Sequence, residues 1–161
     1  MIVEDGTGVT GANALITVAE FTQFALDRST DITSYSNEQI EGGIVVSSVD
    51  YIDSYFLFKG DSITTTQGMQ LPTDQVTINS KIKLACYQAA LLSLKGRLFV
   101  DPLDLEVSGQ VTLERDKLDV LETEKEFKEG GNYVTKFPTS QTDKLLQPYT
   151  VSNGLGTVKR W

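Results

Sequence analysis

The chain has 161 residues and a net charge of −8, with 22 Asp and Glu against 14 Lys and Arg. Its length suits one domain with a real core, and its 40% apolar content is typical of a globular protein. An acidic chain attracts phosphates weakly, so the composition disfavours a sequence-independent DNA binder. The absence of histidine and a single cysteine in an apolar run remove the imidazole base, the imidazole metal ligand and the cysteine nucleophile.

The opening residues, MIVEDGTGVTGANALI, place a glycine-rich loop between two short apolar runs. Gly6, Gly8 and Gly11 fit G-x-G-x-x-G, but a dinucleotide site needs this motif to pass directly from a strand into a helix. The next helix signal is a capping box at residues 17–20, so we expect a flexible loop or an extended arm. The opening lacks a secretory signal, which predicts cytoplasmic synthesis, and no apolar run approaches the roughly 18 residues of a membrane span.

Hydrophobic periodicity predicts three main helices, near residues 18–27, 36–58 and 77–98. The third has apolar residues on two neighbouring faces. We therefore expect it to be the central helix, packed against partners on two sides. A polar loop over residues 59–75 separates it from the second helix. A loop of this length usually has a function.

Local signals add detail to these helices. Ser36 as N-cap and Gln39 at N3 form a second capping box. Gly42 and Gly43 weaken the second helix and indicate either close packing or a bend there. Cys86 falls within an apolar helical run, which predicts a small buried side chain rather than a nucleophile.

Beyond residue 102 the pattern changes to alternation of apolar and polar residues, which predicts a β-hairpin arm over about 103–129. Its strands are expected near 109–114 and 118–123, with a turn at Arg115, Asp116 and Lys117. The charge-rich residues 118–129 leave a helical interpretation open. A short helix is expected at about 140–147.

The predicted fold class is therefore mainly α: a small helical bundle of three main helices and a short C-terminal helix, with a β-hairpin arm and an extended C-terminal tail. We expect a single domain over residues 1–161. The helical core covers about 17–100, the arm about 103–129, and the C-terminal helix and tail about 138–161.

Candidate chemistry is sparse. Asp50 and Asp53 form the best carboxylate pair, at positions i and i+3 of the second helix, but a solvated or inter-subunit helix face explains them better than acid–base catalysis or a metal site. We predict no catalytic residue, metal or cofactor. A small hydrolase that uses acidic residues is the weakest of the interpretations.

Several segments, taken in order, cover nearly the whole chain: MIVEDGTGVTGAN, TVAEF, VDYIDSYFLFKG, QGMQLP, the aliphatic central helix, VTLERDKLDV and LLQPY. Together they resemble a family of small proteins encoded among the head and neck genes of tailed bacteriophages. Its members are often labelled DnaT-like single-stranded-DNA-binding proteins. They are similar to the helical head–tail connectors that form a ring beneath the portal.

This resemblance implies a non-enzymatic head–tail connector, or adaptor, made in the host cytoplasm and located in the virion neck. Its expected partners are further copies in a ring of about twelve, the portal protein, and a downstream stopper, nozzle or tail protein. Genomic DNA would pass through the channel without specific binding, and no membrane is involved. The alternative function is a single-stranded-DNA-binding replication protein, which needs a basic groove with stacking aromatic residues.

Two sets of contact residues follow. Subunit contacts are expected at Asp50, Asp53, Arg115, Asp116 and Lys117. Partner docking is expected in the tail, at Leu155, Val158, Lys159, Arg160 and Trp161. Residues 130–161 carry four basic groups and one acidic group, the reverse of the rest of the chain. We expect residues 151–161 to be disordered in the isolated subunit and ordered against another protein.

Overall fold

The computed structural model describes residues 1–99, 111–117, 122–127 and 140–151. The chain divides into two compact units, Met1–Leu98 with Pro138–Trp161, and Phe99–Phe137. The first unit contains four helices, α1 Val18–Asp27, α2 Asn37–Val45, α3 Ser80–Leu94 and α4 Ser140–Leu146. A π-helical segment, Val46–Asp53, continues α2, and a 3₁₀ turn, Gln147–Tyr149, continues α4. The described chain is mainly helical, as the periodicity predicts.

The helices begin where local side-chain chemistry predicts. Thr17 and Ser36 each close a capping box at the start of α1 and α2. At the start of α3, the Asn79 side chain accepts hydrogen bonds from two backbone N–H groups of the first turn. Each of these side chains satisfies a donor that the helix itself leaves unpaired. The predicted limits of α1 are confirmed, whereas α3 is shorter than the predicted range 77–98.

The second helix differs from prediction in geometry and length. Its backbone widens to a π-helix after Val45. Within this region the Ser47 hydroxyl donates to the carbonyl oxygen of Ile44 at 2.8 Å. Such hydroxyls compete with backbone donors for helix carbonyls, so they favour departures from regular α geometry. The predicted extension to residue 58 is wrong, because Phe58 forms a β-bridge with Thr150.

Helix α3 is the centre of the first unit and packs against α2, the π-helical segment and α4. Its fully buried residues are Ile82, Ala85, Cys86, Ala89 and Ala90. Most of them are small, which lets neighbouring helices approach closely. A Cβ atom on Gly43 would lie 3.1 Å from the Leu94 side chain and 3.5 Å from the Ala90 carbonyl oxygen. Gly43 therefore marks close packing between α2 and α3.

The N-terminal segment belongs to the same core, contrary to the expectation of a flexible loop or arm. Val3 forms a parallel β-bridge with Ala14. The backbone N–H of Glu4 donates to the carbonyl oxygen of Ala14 at 2.8 Å. Leu15 and Ile16 are almost completely buried. This packing holds the glycine-rich residues between Glu4 and Ala14 against the core.

The second unit contains two described strands, β1 Val111–Lys117 and β2 Glu122–Phe127, which pair antiparallel. In the backbone register of the two strands, Arg115 lies opposite Glu124, and Lys117 lies opposite Glu122. The predicted turn at Arg115, Asp116 and Lys117 is wrong, because these residues lie in β1. Residues 118–121 lie outside the described residues. That the pair projects as an arm remains a prediction.

The two adjacent glycines of α2 give a stability test. Replacing either by alanine favours the helix by about 0.5–1 kcal/mol through backbone entropy. A Cβ atom at Gly42 meets nothing within 4 Å, whereas one at Gly43 crowds Leu94. We expect Gly42→Ala to raise the free energy of unfolding and Gly43→Ala to lose that gain. Urea unfolding of both variants measures the difference, and equal gains would contradict the close packing of α2 and α3.

Candidate interaction site

The glycine-rich loop is closed by a carboxylate of its own chain. Glu4 is 2% exposed. Its Oε1 accepts from the N–H groups of Gly6 and Gly8, both at 2.9 Å, and its Oε2 accepts from the N–H of Val9 at 2.7 Å. Backbone N–H groups arranged in this way are what a phosphate would need. Because Glu4 already occupies them, the loop is a structural turn rather than a nucleotide site.

Cys86 is fully buried, as predicted, between α3 and the π-helical segment. Its sulfur lies 3.4 Å from the Ser47 hydroxyl and 3.3 Å from the Ser48 hydroxyl. Burial raises the pKa of the Cys86 thiol, despite these two contacts. A buried thiol that resists ionisation is a poor nucleophile or metal ligand.

No group of three or more His, Cys, Asp or Glu residues in the described part of the chain is arranged to hold a metal ion. Among the described helices, none has the length and apolar character needed to cross a membrane.

Loop 59–75 is built around one glutamine side chain. The Gln67 Nε2 donates to the carbonyl oxygens of Met69, Gln70 and Pro72 at 2.8–3.0 Å. Its Oε1 accepts from the N–H of Thr64 at 3.0 Å. One side chain thus pairs with four backbone groups. In a helix or a strand, such groups would pair with other backbone groups. The loop has a defined shape although it lacks helix and strand.

A second glutamine ties this loop to the end of the π-helical segment. The Gln70 N–H donates to the Asp53 carboxylate at 2.6 Å, and its side-chain amide donates to the carbonyl oxygens of Asp53 and Phe56. The Gln70 Oε1 accepts from the N–H of Phe58 at 3.4 Å. Burial raises the pKa of Asp53, although the hydrogen bond from Gln70 opposes the rise.

These contacts hold residues 55–59 beside the C-terminal part of the first unit. The N–H of Lys59 donates to the carbonyl oxygen of Tyr149 at 3.0 Å, and the N–H of Val151 donates to that of Leu57 at 2.8 Å. Tyr55, Leu57 and Val151 remain 57%, 56% and 41% exposed. Single exposed apolar side chains are common on folded proteins, so these three do not by themselves mark a binding site.

Acidic side chains outnumber basic ones in the described part of the first unit, and two of the cations contact neighbouring side chains. Residues 1–99 have 11 acidic and 6 basic side chains, and residues 140–151 have one of each. Lys83 pairs with Glu20 at 2.6 Å, and the Arg28 guanidinium lies over the Phe24 ring, 4.0 Å from its centre. Burial opposes ionisation of Glu20, but hydrogen bonds from Lys83 and Thr17 outweigh it and lower the pKa.

The sequence-predicted contact residues differ in exposure, and some of them lie outside the described residues. Asp50 is exposed and stays a candidate for subunit contact, whereas Asp53 is partly buried against Gln70. That Asp50 and Asp53 contact a neighbouring subunit stays a prediction. The predicted docking residues Leu155, Val158, Lys159, Arg160 and Trp161 lie outside the described residues.

Sequence reasoning missed Gln67 and Gln70. Their one signal was their place in the QGMQLP segment that carries the family resemblance. A glutamine that pairs backbone groups of its own loop has no periodicity by which to recognise it.

The role of Gln67 can be tested by a change of one charge. Gln67→Glu replaces the amide donor with a carboxylate facing three carbonyl oxygens. We expect the free energy of unfolding to fall by about 1–3 kcal/mol at neutral pH, because those carbonyls lose their donor. Gln75→Glu is the control, since this side chain is exposed in the same loop and the charge change is identical. Equal effects in chemical unfolding would contradict the structural role.

Asp53 and Glu20 should show opposite pH dependence. The folded-state pKa of Asp53 is raised, so its stabilising contribution is present at low pH and is lost as pH rises through that value. The folded-state pKa of Glu20 is lowered, so its contribution appears as pH rises. Relative to Asp53→Asn, the stability of the unmodified protein should fall with pH, and relative to Glu20→Gln it should rise. Urea unfolding between about pH 3 and 7 measures both slopes, and slopes of the same sign would refute the assignment.

The chain has no match among the curated proteins and none among the solved structures. A family model described as "Putative DnaT-like ssDNA binding protein" matches residues 1–160, which is nearly the whole chain. The chain belongs to this DnaT-like family.

Proposed function

We propose that this chain is a head–tail connector of a tailed bacteriophage, a non-enzymatic protein that forms a ring between the portal and the next neck or tail component. Support comes from the ordered resemblance of its segments to phage neck proteins. The first unit also has the features such a part needs, a rigid helical core with exposed apolar side chains on fixed loops. Made in the host cytoplasm, the chain would act in the virion neck.

The observation that carries this proposal over a DNA-binding function is the charge of the first unit. Acidic side chains outnumber basic ones by 12 to 7 in residues 1–99 and 140–151. Lys83 is engaged by Glu20, and Arg28 lies on the Phe24 ring. Binding of single-stranded DNA gains most of its free energy from neutralising several phosphates in a row. An excess of acidic side chains instead suits a protein that lines a channel through which DNA slides.

Single-stranded DNA binding is the second candidate, and the family comparison favours it over the connector. The description of the matching family names this activity. The structure adds one compatible feature, since the exposed ring of Tyr55 lies near Lys59 in the chain and could stack on a base. No comparison bears on the connector function. The two candidates therefore need a direct test.

Titration of a labelled thymidine oligonucleotide with the purified chain separates them. As a connector, the chain should show no micromolar affinity at physiological salt. Affinity in the micromolar range that weakens steeply as salt rises would overturn this expectation and establish the second candidate. In that event Tyr55→Ala should reduce affinity and Leu26→Ala, on the exposed face of α1, should not.

A second measurement tests the connector directly. Symmetry-resolved imaging of the particle that carries this protein should place about twelve copies in a ring below the portal. Imaging that finds a single copy in the neck, or none, would refute the proposal regardless of the DNA result.

A further inference from the structure

The glycine-rich loop, residues 5–13, lies directly against loop 59–75. Three hydrogen bonds and one β-bridge join the two loops: Thr64 to Gly8, Gly68 to Val9, Thr10 to Thr66, and Thr10 to Gln67. The residues that make these contacts lie outside the helices of the first unit. The two loops are thus held to each other by polar contacts rather than by regular secondary structure.

The groups that join the loops belong to the residues that fix the shape of each loop. The N–H of Gly8 donates to Glu4, and the carbonyl oxygen of Gly8 accepts from the Thr64 hydroxyl at 3.1 Å. The N–H of Thr64 donates in turn to the Gln67 side chain at 3.0 Å. A continuous chain of polar contacts therefore runs from Glu4 to Gln67, the two side chains that organise the loops.

Val9 provides a second link of the same kind. Its N–H donates to Glu4 at 2.7 Å, and its carbonyl oxygen accepts from the N–H of Gly68 at 3.2 Å. The two backbones are also in close contact at this point. A Cβ atom on Gly68 would overlap the carbonyl oxygen of Ala12 and lie 2.6 Å from its nitrogen. Because Ala12 is buried in the core, loop 59–75 has no space to move closer.

We propose that the two loops form one conformational unit, which opens and closes as a whole while α3 stays folded. Without the Glu4 contacts, the backbone of Gly8 is free to move, and its carbonyl oxygen no longer meets the Thr64 hydroxyl. Without the Gln67 contacts, Thr64 moves and the glycine-rich loop loses the same partner. Local openings in proteins involve groups of residues that lose their hydrogen bonds together.

This inference goes beyond the proposed function and does not rest on it. A macromolecule that contacts either loop would fix the conformation of both, whether it is a protein or a nucleic acid. The unit also includes the end of the π-helical segment, because Gln70 of loop 59–75 donates its backbone N–H to the Asp53 carboxylate.

Hydrogen exchange of the unmodified protein tests the proposal first. Amide protons that exchange through one opening share its free energy and its dependence on denaturant. We expect the N–H groups of Gly8 and Val9 to share both values with those of Thr64 and Gly68 at low urea concentration, and the amides of α3 to exchange more slowly. Different values for the two loops would overturn the proposal, and so would values equal to those of α3.

A variant at Glu4 tests the coupling in one direction. Glu4→Gln replaces one acceptor oxygen with an amide donor that faces backbone N–H groups. We expect exchange at Thr64, in the other loop, to accelerate about tenfold or more, as at Gly8, because a lost hydrogen bond to a charged group has an effect of this size. Glu38→Gln is the matched control, since Glu38 is exposed on α2 and loses the same charge. Acceleration confined to residues 5–13 would show that the loops open independently.

A variant at Gln67 tests the reverse direction. Gln67→Glu should accelerate exchange at Gly8 by a similar factor, although Gly8 belongs to the other loop, and Gln75→Glu should not. An effect of Gln67→Glu limited to loop 59–75 would overturn the proposal. If either variant fails to fold, the exchange of the unmodified protein still decides between one opening and two.

Discussion

The close approach of α2 and the π-helical segment to α3 is the constraint on which the rest of the first unit depends. Small residues line both sides, Gly43 on one and Ala89 and Ala90 on the other. Two buried hydroxyls also meet the sulfur of Cys86, and one of them, Ser48, accepts the N–H of Leu15 at 3.1 Å. Larger side chains here would separate the helices and detach the N-terminal segment from the core. The packing of two helices thus fixes parts of the chain that have no regular structure.

In the loops, contacts made by polar side chains determine the conformation of the backbone. Glu4, Gln67 and Gln70 each use one side chain to pair several backbone groups. Buried backbone groups without partners would cost more than these side chains lose in entropy, so each loop has one preferred conformation. The loops are consequently part of the scaffold. They hold residues 55–59 in a fixed conformation, with Phe56 and Phe58 buried in the core.

Charge and family membership favour different functions for this scaffold. The family to which the chain belongs is described by single-stranded DNA binding. The first unit has an excess of carboxylates, and two of its cations are already held by neighbouring side chains. Phosphate recognition depends on local cations, so this excess of carboxylates disfavours a site that tracks a nucleic-acid backbone. In the sequence, the excess of positive charge lies in residues 130–161, which carry four basic groups and one acidic group.

The sequence by itself determined the helical class, the capped starts of α1 and α2, the central position of α3 and the burial of Cys86. These features depend on hydrophobic periodicity and on contacts within a few residues, which a single sequence displays. Only the tertiary structure decided the π-helical geometry after Val45, the closure of the glycine loop by Glu4, the strand position of Arg115 and the partly buried state of Asp53. Each of these depends on which groups meet after the chain folds, often across many residues. A carboxylate such as Asp53 looks the same in the sequence whether it faces water or the N–H of Gln70, and only packing distinguishes the two.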